Sequence, residues 1–311
     1  MTDLSVIIPA DGDAAHLPRL LASVPVALAP LGCAFEILVV LSAPDPAADA
    51  AASGRARVVV APTTGYGAAL SAGFAAAAGA WVLTIDADAT TADPIARDLW
   101  ARRGDADVLI GSRYIAGGEA HMPAPRSAFS RALNAVFARG LSLGVRDLSS
   151  GVRLYRAAML KTLGPLPAQL DALQTILVKV YAEGWRVIEV PMAYGVVPGG
   201  ASRTRASRFA ADYVRTFGRL WRLRNSIACA DYDARAHDSA IPLQRYWQRE
   251  RYRHVTELIA GQGAVLDVGC GSSRIIGALP RGSVAVDVLL RKLRYARRFN
   301  RPLVHASGFA L

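Results

Sequence analysis

Short runs of large apolar residues alternate along this chain with stretches in which apolar residues recur at helical spacing. The runs 4–9, 35–41, 57–61, 81–85 and 106–111 are each too short for a helix and are set off by Gly, Pro, Asp or Ser, so each predicts a buried strand. Helices are predicted over 13–23, 68–78, 126–141 and 171–182, followed by a strand over 186–190 that Pro191 stops. Strands and helices alternating at this spacing predict an α/β fold with a mainly parallel, doubly wound sheet. A second α/β series begins at 241: a basic helix over 242–259, a run over 264–268, a strand over 283–287 and a strand-like run over 302–307. The pattern divides the chain into 1–205, a basic helix and linker over 206–240, and a partial second Rossmann-like unit over 241–311.

Chemistry enters at the strand over 81–85, which ends in Asp86-Ala-Asp88. In an open α/β sheet, ligands bind in the crevice beyond the carboxyl ends of the strands, so this pair stands where chemistry is expected. Two hard oxygen ligands there suit Mg²⁺ or Mn²⁺ holding a diphosphate, because such ions take their other ligands from substrate and water. On their own, the two aspartates fit turn-capping side chains equally well. Asp93-Pro94 reads as an N-cap followed by proline at the first helical position, a structural role. Gly65 and Gly67 let backbone approach a phosphate, or simply make a tight turn. Arg126, Ser130 and Asn134 share one helix face, which suits either an anion or solvent. Residues 115–125 read as a loop, 147–153 as a turn followed by a guanidinium, and 198–203 as a flap.

Composition narrows the partners. With 311 residues, 52% hydrophobic and 20% charged, the chain is globular, and its net charge of +11 asks for an anionic partner. No nucleic-acid motif accompanies that charge, so no nucleic acid is expected. Cys33, Cys229 and Cys270 lack metal-ligand spacing, which favours a reducing compartment. The start of the chain is unlike a signal peptide, and the longest uncharged tract, 58–85, contains Pro62 and reads as loop, helix and strand. From 207 to 224, Phe209, Tyr213, Phe217, Leu220 and Trp221 fall on one helical stripe, while Arg208, Arg215, Arg219, Arg222 and Arg224 crowd the rest. That pattern serves an amphipathic helix on an anionic membrane, or a helix packed on its own domain. Residues 226–240 have the composition of a linker. Further on, Gly269 and Gly271 follow Asp267, and Asp287 ends the next strand. Close backbone approach and then a carboxylate for ribose hydroxyls suit a nucleoside, and the missing third glycine favours an adenosyl ligand over NAD.

The ordered blocks Val6-Ile-Ile-Pro9, Gly65-Tyr-Gly-Ala-Ala-Leu70, Asp86-Ala-Asp88, Gly111-Ser-Arg-Tyr114 with Gly117-Gly118, Arg146-Asp-Leu-Ser-Ser-Gly-Val-Arg153 and Glu189-Val-Pro191 resemble the family 2 glycosyltransferases of the GT-A fold, within them the dolichol- and polyprenol-phosphate sugar synthases. The resemblance implies inverting transfer of a mannose- or glucose-type sugar from a GDP- or UDP-sugar to a polyprenyl phosphate, by a cytoplasmic protein peripheral to the membrane. It implies Pro9, Asp13, Gly65, Asp86 and Arg203 at the nucleotide-sugar, Asp86 and Asp88 on Mg²⁺ or Mn²⁺, and Arg113, Arg126 and Ser130 at the acceptor phosphate, with Asp88 among the catalytic groups. Residues 241–311 resemble the first half of a class I S-adenosylmethionine-dependent methyltransferase, with Asp267, Gly269, Gly271 and Asp287 on that cofactor and no methylation expected from this fragment alone.

Departures from the family pattern leave other readings open. Leu41-Ser42 stands where the family has two aspartates, Thr90 where mannose synthases have glutamine, Ile176 where an acidic residue is common, and Val197 where the flap has arginine. A non-catalytic GT-A module, or a sugar-domain partner of a methyltransferase, are the alternatives.

Overall fold

The structure, a computed structural model, describes residues 2–10, 16–89, 92–195 and 206–310. By their internal packing, two compact units form: Met1–Val178 with Val187–Leu220, and Lys179–Arg186 with Trp221–Leu311.

In the first unit the elements run β1 (Leu4–Pro9), α1 (Leu17–Leu28), β2 (Phe35–Leu41), α2 (Pro46–Ala52), β3 (Arg57–Val60), α3 (Tyr66–Ala76), β4 (Trp81–Thr84) and α4 (Ile95–Ala101). They continue with β5 (Val108–Ser112), β6 (Glu119–His121), α5 (Ala124–Gly140), β7 (Arg153–Arg156), α6 (Ala157–Leu160), α7 (Ala172–Ala182), β8 (Val187–Pro191), β9 (Ala193–Gly195) and α8 (Ala206–Arg224). Seven strands form one sheet in the order β3-β2-β1-β4-β7-β5-β8. All six residues of β1 are buried, as a central strand covered on both faces requires. Its one hydroxyl, Ser5, donates to Glu36 at 2.6 Å and accepts from the Gly79 amide at 2.9 Å, so the polar group is satisfied inside the core. β1 pairs with β2 on one side and β4 on the other, all parallel. The strand order therefore reverses beside β4, and Asp86-Ala-Asp88 follows that strand at the switch point.

The sheet departs from the expected pattern at β7, which runs antiparallel to both β4 and β5. Arg153-Leu-Tyr-Arg156 is four residues long with an arginine at each end, so no apolar run announces it. Arg153 is nonetheless fully buried, and its guanidinium donates to the carbonyls of Ser150 (2.8 Å), Leu173 (3.0 Å) and Leu148 (2.7 Å). Three carbonyl dipoles here replace an ion-pair partner and knit the loop before β7 to α7.

Several local expectations shift. α1 begins at Leu17, and Asp13 lies outside the described residues. Pro94, after a cis peptide bond from Asp93, itself precedes α4, and Asp93 pairs with Arg97 at 2.8 Å instead of capping the helix. The loop expected over 115–125 contains β6, which pairs in parallel with β9. In α8, Leu220 is buried and the Phe217 ring packs edge-on against Phe137 at 5.3 Å. That part of the apolar stripe is thus covered by the protein itself, while the side chains of 206–213 lie outside the description. Among the described residues no helix is long and apolar enough to cross a membrane.

The second unit contains α9 (Tyr232–Ala236), α10 (Pro242–Ile259), β10 (Leu266–Val268), α11 (Ile275–Ala278), β11 (Val284–Asp287), α12 (Leu290–Ala296) and β12 (Leu303–His305), with a parallel sheet in the order β10-β11-β12. Residues 226–240 are not an extended linker. Cys229, Ala230, Asp231, Ala234 and Ala236 are buried, and Asp231 is bound by the buried Arg224 and by Arg235 at 3.1 Å. Asp233 accepts from Lys292 at 2.7 Å and from the amide and hydroxyl of Ser272 at 3.0 and 3.1 Å.

Burial alone would raise both carboxyls, but the bonds from Arg224 to Asp231 and from Lys292 to Asp233 outweigh it and hold each below the ordinary carboxylate value. A depressed folded-state value stabilises fully above the unfolded value near ~4 and loses its contribution as pH falls through the folded one. Acid titration followed by circular dichroism should therefore show cooperative loss of structure below about pH 4, and Asp231→Asn should flatten that dependence. An unchanged acid profile in the variant would exclude this account.

Candidate active site

β4 carries Asp86 and Asp88 past its end. Burial first, and then the charge of Asp88, push the Asp86 carboxyl up to about 6. Tyr66, the first residue of α3, donates its hydroxyl to Asp86 Oδ1 at 2.7 Å, and Tyr194 of β9 donates to Asp88 Oδ1 at 2.8 Å. Burial and the neighbouring carboxylates raise both phenols well above their usual range, so at neutral pH they remain donors. Oδ2 of each aspartate has no hydrogen bond among the described residues. The described residues also contain no cluster of three or more His, Cys, Asp or Glu able to hold a metal. A cation held by Asp86 and Asp88 would draw its other ligands from substrate and water, which is how Mg²⁺ or Mn²⁺ is held on a diphosphate; the donor set fits.

The other wall is built on a buried ion pair. At the end of β5, Arg113 Nε and Nη2 meet Asp147 Oδ2 and Oδ1 at 2.8 Å each, and Nη2 also donates to Ser149 Oγ at 2.8 Å. Desolvation opposes the Arg113 charge, but the two bonds to Asp147 more than offset it and keep the guanidinium protonated. Asp147 is held in turn from outside the pair. Glu189 of β8 accepts the amides of Arg146 and Asp147, both at 2.9 Å. Asn134 of α5 accepts the Leu148 amide at 2.8 Å and donates to Ser149 at 3.1 Å. Tyr194 spans the two walls: its hydroxyl is on Asp88 while its ring lies 5.5 Å from the Arg113 guanidinium carbon.

The site residues read from sequence fare differently. Pro9, Asp86, Asp88 and Arg113 lie at or just beyond the carboxyl ends of β1, β4 and β5, which point the same way in the sheet. Ser130 sits on the inward side of α5, where its hydroxyl accepts from Tyr114 at 2.7 Å, and Arg126 is exposed. Gly65 has a packing reason to be glycine. With φ of 122°, it lies so near segment 167–169 that a Cβ would come within 2.4 Å of the Ala168 carbonyl oxygen. That carbonyl also takes the Ala68 amide at 3.1 Å, so the start of α3 is closed by the chain and not left open as a phosphate cradle. Asp13 and Arg203 lie outside the described residues, as do Thr90 and Val197. Ser42, standing where a carboxylate was expected, accepts the Gly65 amide at 3.3 Å, and Ile176 is fully buried.

Sequence reasoning missed Tyr66, Asp147, Gly151 and Tyr194 as site residues. Tyr66 between two glycines and Asp147 in a turn before a buried arginine were visible signals. Tyr194 gave none, since its bond to Asp88 crosses 106 residues of chain.

In the second unit the nucleoside reading meets an obstacle. The Gly271 amide is bound to Asp287 at 2.8 Å, the Ser272 amide to Asp233, and a Cβ at Gly271 would lie 2.6 Å from the Asp233 carboxylate. Asp287 also accepts the Leu289 amide at 2.7 Å. Asp267 is half-buried on β10 and Gly269 is exposed. The amides of the glycine turn are thus taken by carboxylates of the chain itself, and both oxygens of Asp287 are engaged by backbone amides. The residues do not fit S-adenosylmethionine, because Asp233 and Asp287 close the turn that would receive it.

Residues 5–164 match the family described as glycosyl transferase family 2. An uncharacterized glycosyltransferase of Mycobacterium bovis is 30% identical over 206 residues, which are 66% of this chain and 90% of that protein. The polyprenol monophosphomannose synthase of Mycolicibacterium smegmatis is 32% identical over 176 residues, 52% of this chain and 66% of that one. Among solved structures, glucosyl-3-phosphoglycerate synthase from Mycobacterium tuberculosis, in complex with Mn²⁺, UDP and glucosyl-3-phosphoglycerate, superposes with a TM-score of 0.54 at 20% identity, over 72% of this chain and 80% of that one. The carboxylate pair at the switch point of the sheet and the matched sequence agree: the chain belongs to glycosyl transferase family 2, is a glycosyltransferase, and has the GT-A fold.

Proposed function

We propose that this protein transfers a hexose, with inversion, from a GDP- or UDP-sugar to a polyprenyl phosphate at a membrane surface. The observation that carries the reading is Tyr194, which joins a diphosphate-type carboxylate pair to a fixed, permanently charged arginine. A phosphate acceptor is ionised near neutrality, its second pKa being about 6, so it needs orientation and not a general base. Nη1 of Arg113 has no hydrogen bond among the described residues, and Asp147 fixes the plane of the guanidinium, so a donor stands ready for the incoming phosphate. Asp86 and Asp88 would hold the divalent cation, which when bound stabilises the leaving nucleoside diphosphate. Ser130 and Arg126, on α5, would complete the acceptor side, and one in-line displacement inverts the anomeric centre. The mycobacterial polyprenol monophosphomannose synthase relative supports a lipid-linked phosphate as acceptor.

Ser42 favours a second reading, a GT-A module without catalysis, because a neutral hydroxyl, which accepts the Gly65 amide, stands where the family has a carboxylate. Calorimetric titration of GDP and UDP, each with and without Mn²⁺, against wild type and Asp88→Ala separates the two. Metal-dependent binding of one nucleotide, lost in the variant, is expected. If neither nucleotide binds, the catalytic reading falls and the second stands.

A further inference from the structure

The hydrogen bonds around Ser130 of α5 run in one direction. Asn134 is buried, and its Oδ1 is fixed by the Leu148 amide, a group that can only donate, at 2.8 Å. Its Nδ2 therefore faces the other way. It donates to Ser149 Oγ at 3.1 Å, to the Ser130 carbonyl at 2.9 Å and, at 3.4 Å, to Ser130 Oγ. Tyr114, just beyond β5, brings its hydroxyl to the same Ser130 oxygen at 2.7 Å. A phenol is a stronger acid than an alkyl hydroxyl, so Tyr114 donates and Ser130 accepts. The Tyr114 ring is held from its sides as well: the guanidinium carbons of Arg113 and Arg131 lie 5.1 and 5.3 Å from its centroid.

With two donors directed at Ser130 Oγ, the proton of that hydroxyl is left to point elsewhere, and it has no acceptor among the described residues. Nor does the network hold a free base. Ser149 takes bonds from Arg113 and Asn134 and gives its own proton to Asp147 Oδ1 at 3.2 Å. Asp147 is spent in turn, Oδ1 on Arg113 Nη2 and Ser149, Oδ2 on the amide and Nε of Arg113. A ligand at Ser130 thus meets a hydroxyl that gives a hydrogen bond, beside a permanently charged guanidinium. An oxygen that carries lone pairs alone, as in an ionised phosphate, satisfies both. An alcohol arrives with a proton that this wall cannot take.

We propose that Tyr114 is a positioning residue that makes the Ser130 hydroxyl a one-way donor, and that through it the site selects an acceptor attacking with a phosphate oxyanion and not with an alcohol. The inference rests on the phosphate-acceptor reading of the active site and deepens it. Arginines attract any anion, whereas a donor of fixed direction also discriminates by what the incoming oxygen carries.

The test is steady-state kinetics of the full chain with Mn²⁺, the nucleotide-sugar whose base the calorimetric titration selects, and a short, water-soluble prenyl phosphate. Tyr114→Phe keeps the ring beside its two cations and removes the hydroxyl. It should raise KM for the prenyl phosphate about tenfold, the loss expected when one hydrogen bond to a charged group is misdirected, with kcat and the KM of the sugar donor within about twofold of wild type. Ser130→Ala should cost the same, and the double variant should be no worse than Ser130→Ala, because Tyr114 acts through Ser130. Losses that multiply in the double variant overturn the proposal. So does an equal rise in the KM of the donor, which marks a merely structural role. Prenyl alcohol in place of the phosphate should give no product with wild type, and its turnover overturns the selection. If wild type transfers to neither compound, the phosphate-acceptor reading falls, and calorimetric binding of inorganic phosphate to the same variants judges the role of Tyr114 separately: a loss shared with Ser130→Ala keeps it, and independent losses end it.

Discussion

Asp147→Ala should destabilise the protein by about 3–5 kcal/mol, the cost of leaving one partner of a buried ion pair uncompensated. Arg113 and Asp147 are respectively 10% and 0% exposed at their side chains, so solvent cannot take over the lost role. The same substitution removes the acceptor of the Arg113 amide and of the Ser149 hydroxyl, at 3.1 and 3.2 Å. The loop that Glu189 and Asn134 pin on either side would lose its centre. Denaturant unfolding of wild type and variant measures the effect. The double variant Asp147→Ala, Arg113→Met should recover part of the loss, because the stranded charge is gone, but should not recover transfer. A single variant as stable as wild type would falsify the ion pair as the support of this wall.

Gly151→Ala is expected to lower transfer about a hundredfold while leaving the protein folded, in keeping with what a displacement near 1 Å costs a positioned catalytic group. A Cβ at this position would lie 2.2 Å from Asp86 Oδ1, 2.5 Å from Oδ2 and 2.5 Å from the Tyr66 hydroxyl. All three atoms are side-chain ends. The fold can yield by swinging the carboxylate away, but the geometry that pairs Asp86 with Asp88 cannot survive the swing. Titration of Mn²⁺ with nucleotide should show the loss as weaker metal-dependent binding, with the thermal midpoint nearly unchanged. If binding and turnover persist, Asp86 does not need its present place.

Those two positions also mark how far the sequence could be read. β4 was legible because a buried apolar run ending abruptly in two carboxylates is a local signal, and the alternation of runs and helices gave the sheet that holds it. β7 was not, because a four-residue strand with arginines at both ends obtains its burial from carbonyls of Leu148, Ser150 and Leu173, which no pattern within the strand discloses. Arg113 could be chosen as an anion-binding candidate, but its lock on Asp147 spans 34 residues and depends on two loops meeting. Gly65 shows the limit of local sequence: a glycine before a helix looks the same whether the space beside it receives a phosphate or, as here, the Ala168 carbonyl. In the second unit the glycine turn was plain, whereas its closure by Asp233 came from a stretch whose composition suggested a linker.

The antiparallel strand has a bearing on the order in which the molecule can be assembled. β4 and β5 are 23 residues apart at their facing ends, Thr84 and Val108, counted as the residues between them, yet they are not neighbours in the sheet, because β7 lies between them. A chain emerging from the ribosome can lay down β1 to β4 as a parallel half-sheet, but β5 has no native place to pair until Arg153–Arg156 has also emerged. Until then the apolar edge of Trp81–Thr84 stays open, with Asp86 and Asp88 just beyond it, and such an edge is where premature pairing or aggregation begins. The strand that closes this edge is also the one that follows Asp147, Ser149 and Gly151, so closing the gap beside β4 brings these residues to the candidate site in the same late event of synthesis, and β8 and β9 then add Glu189 and Tyr194.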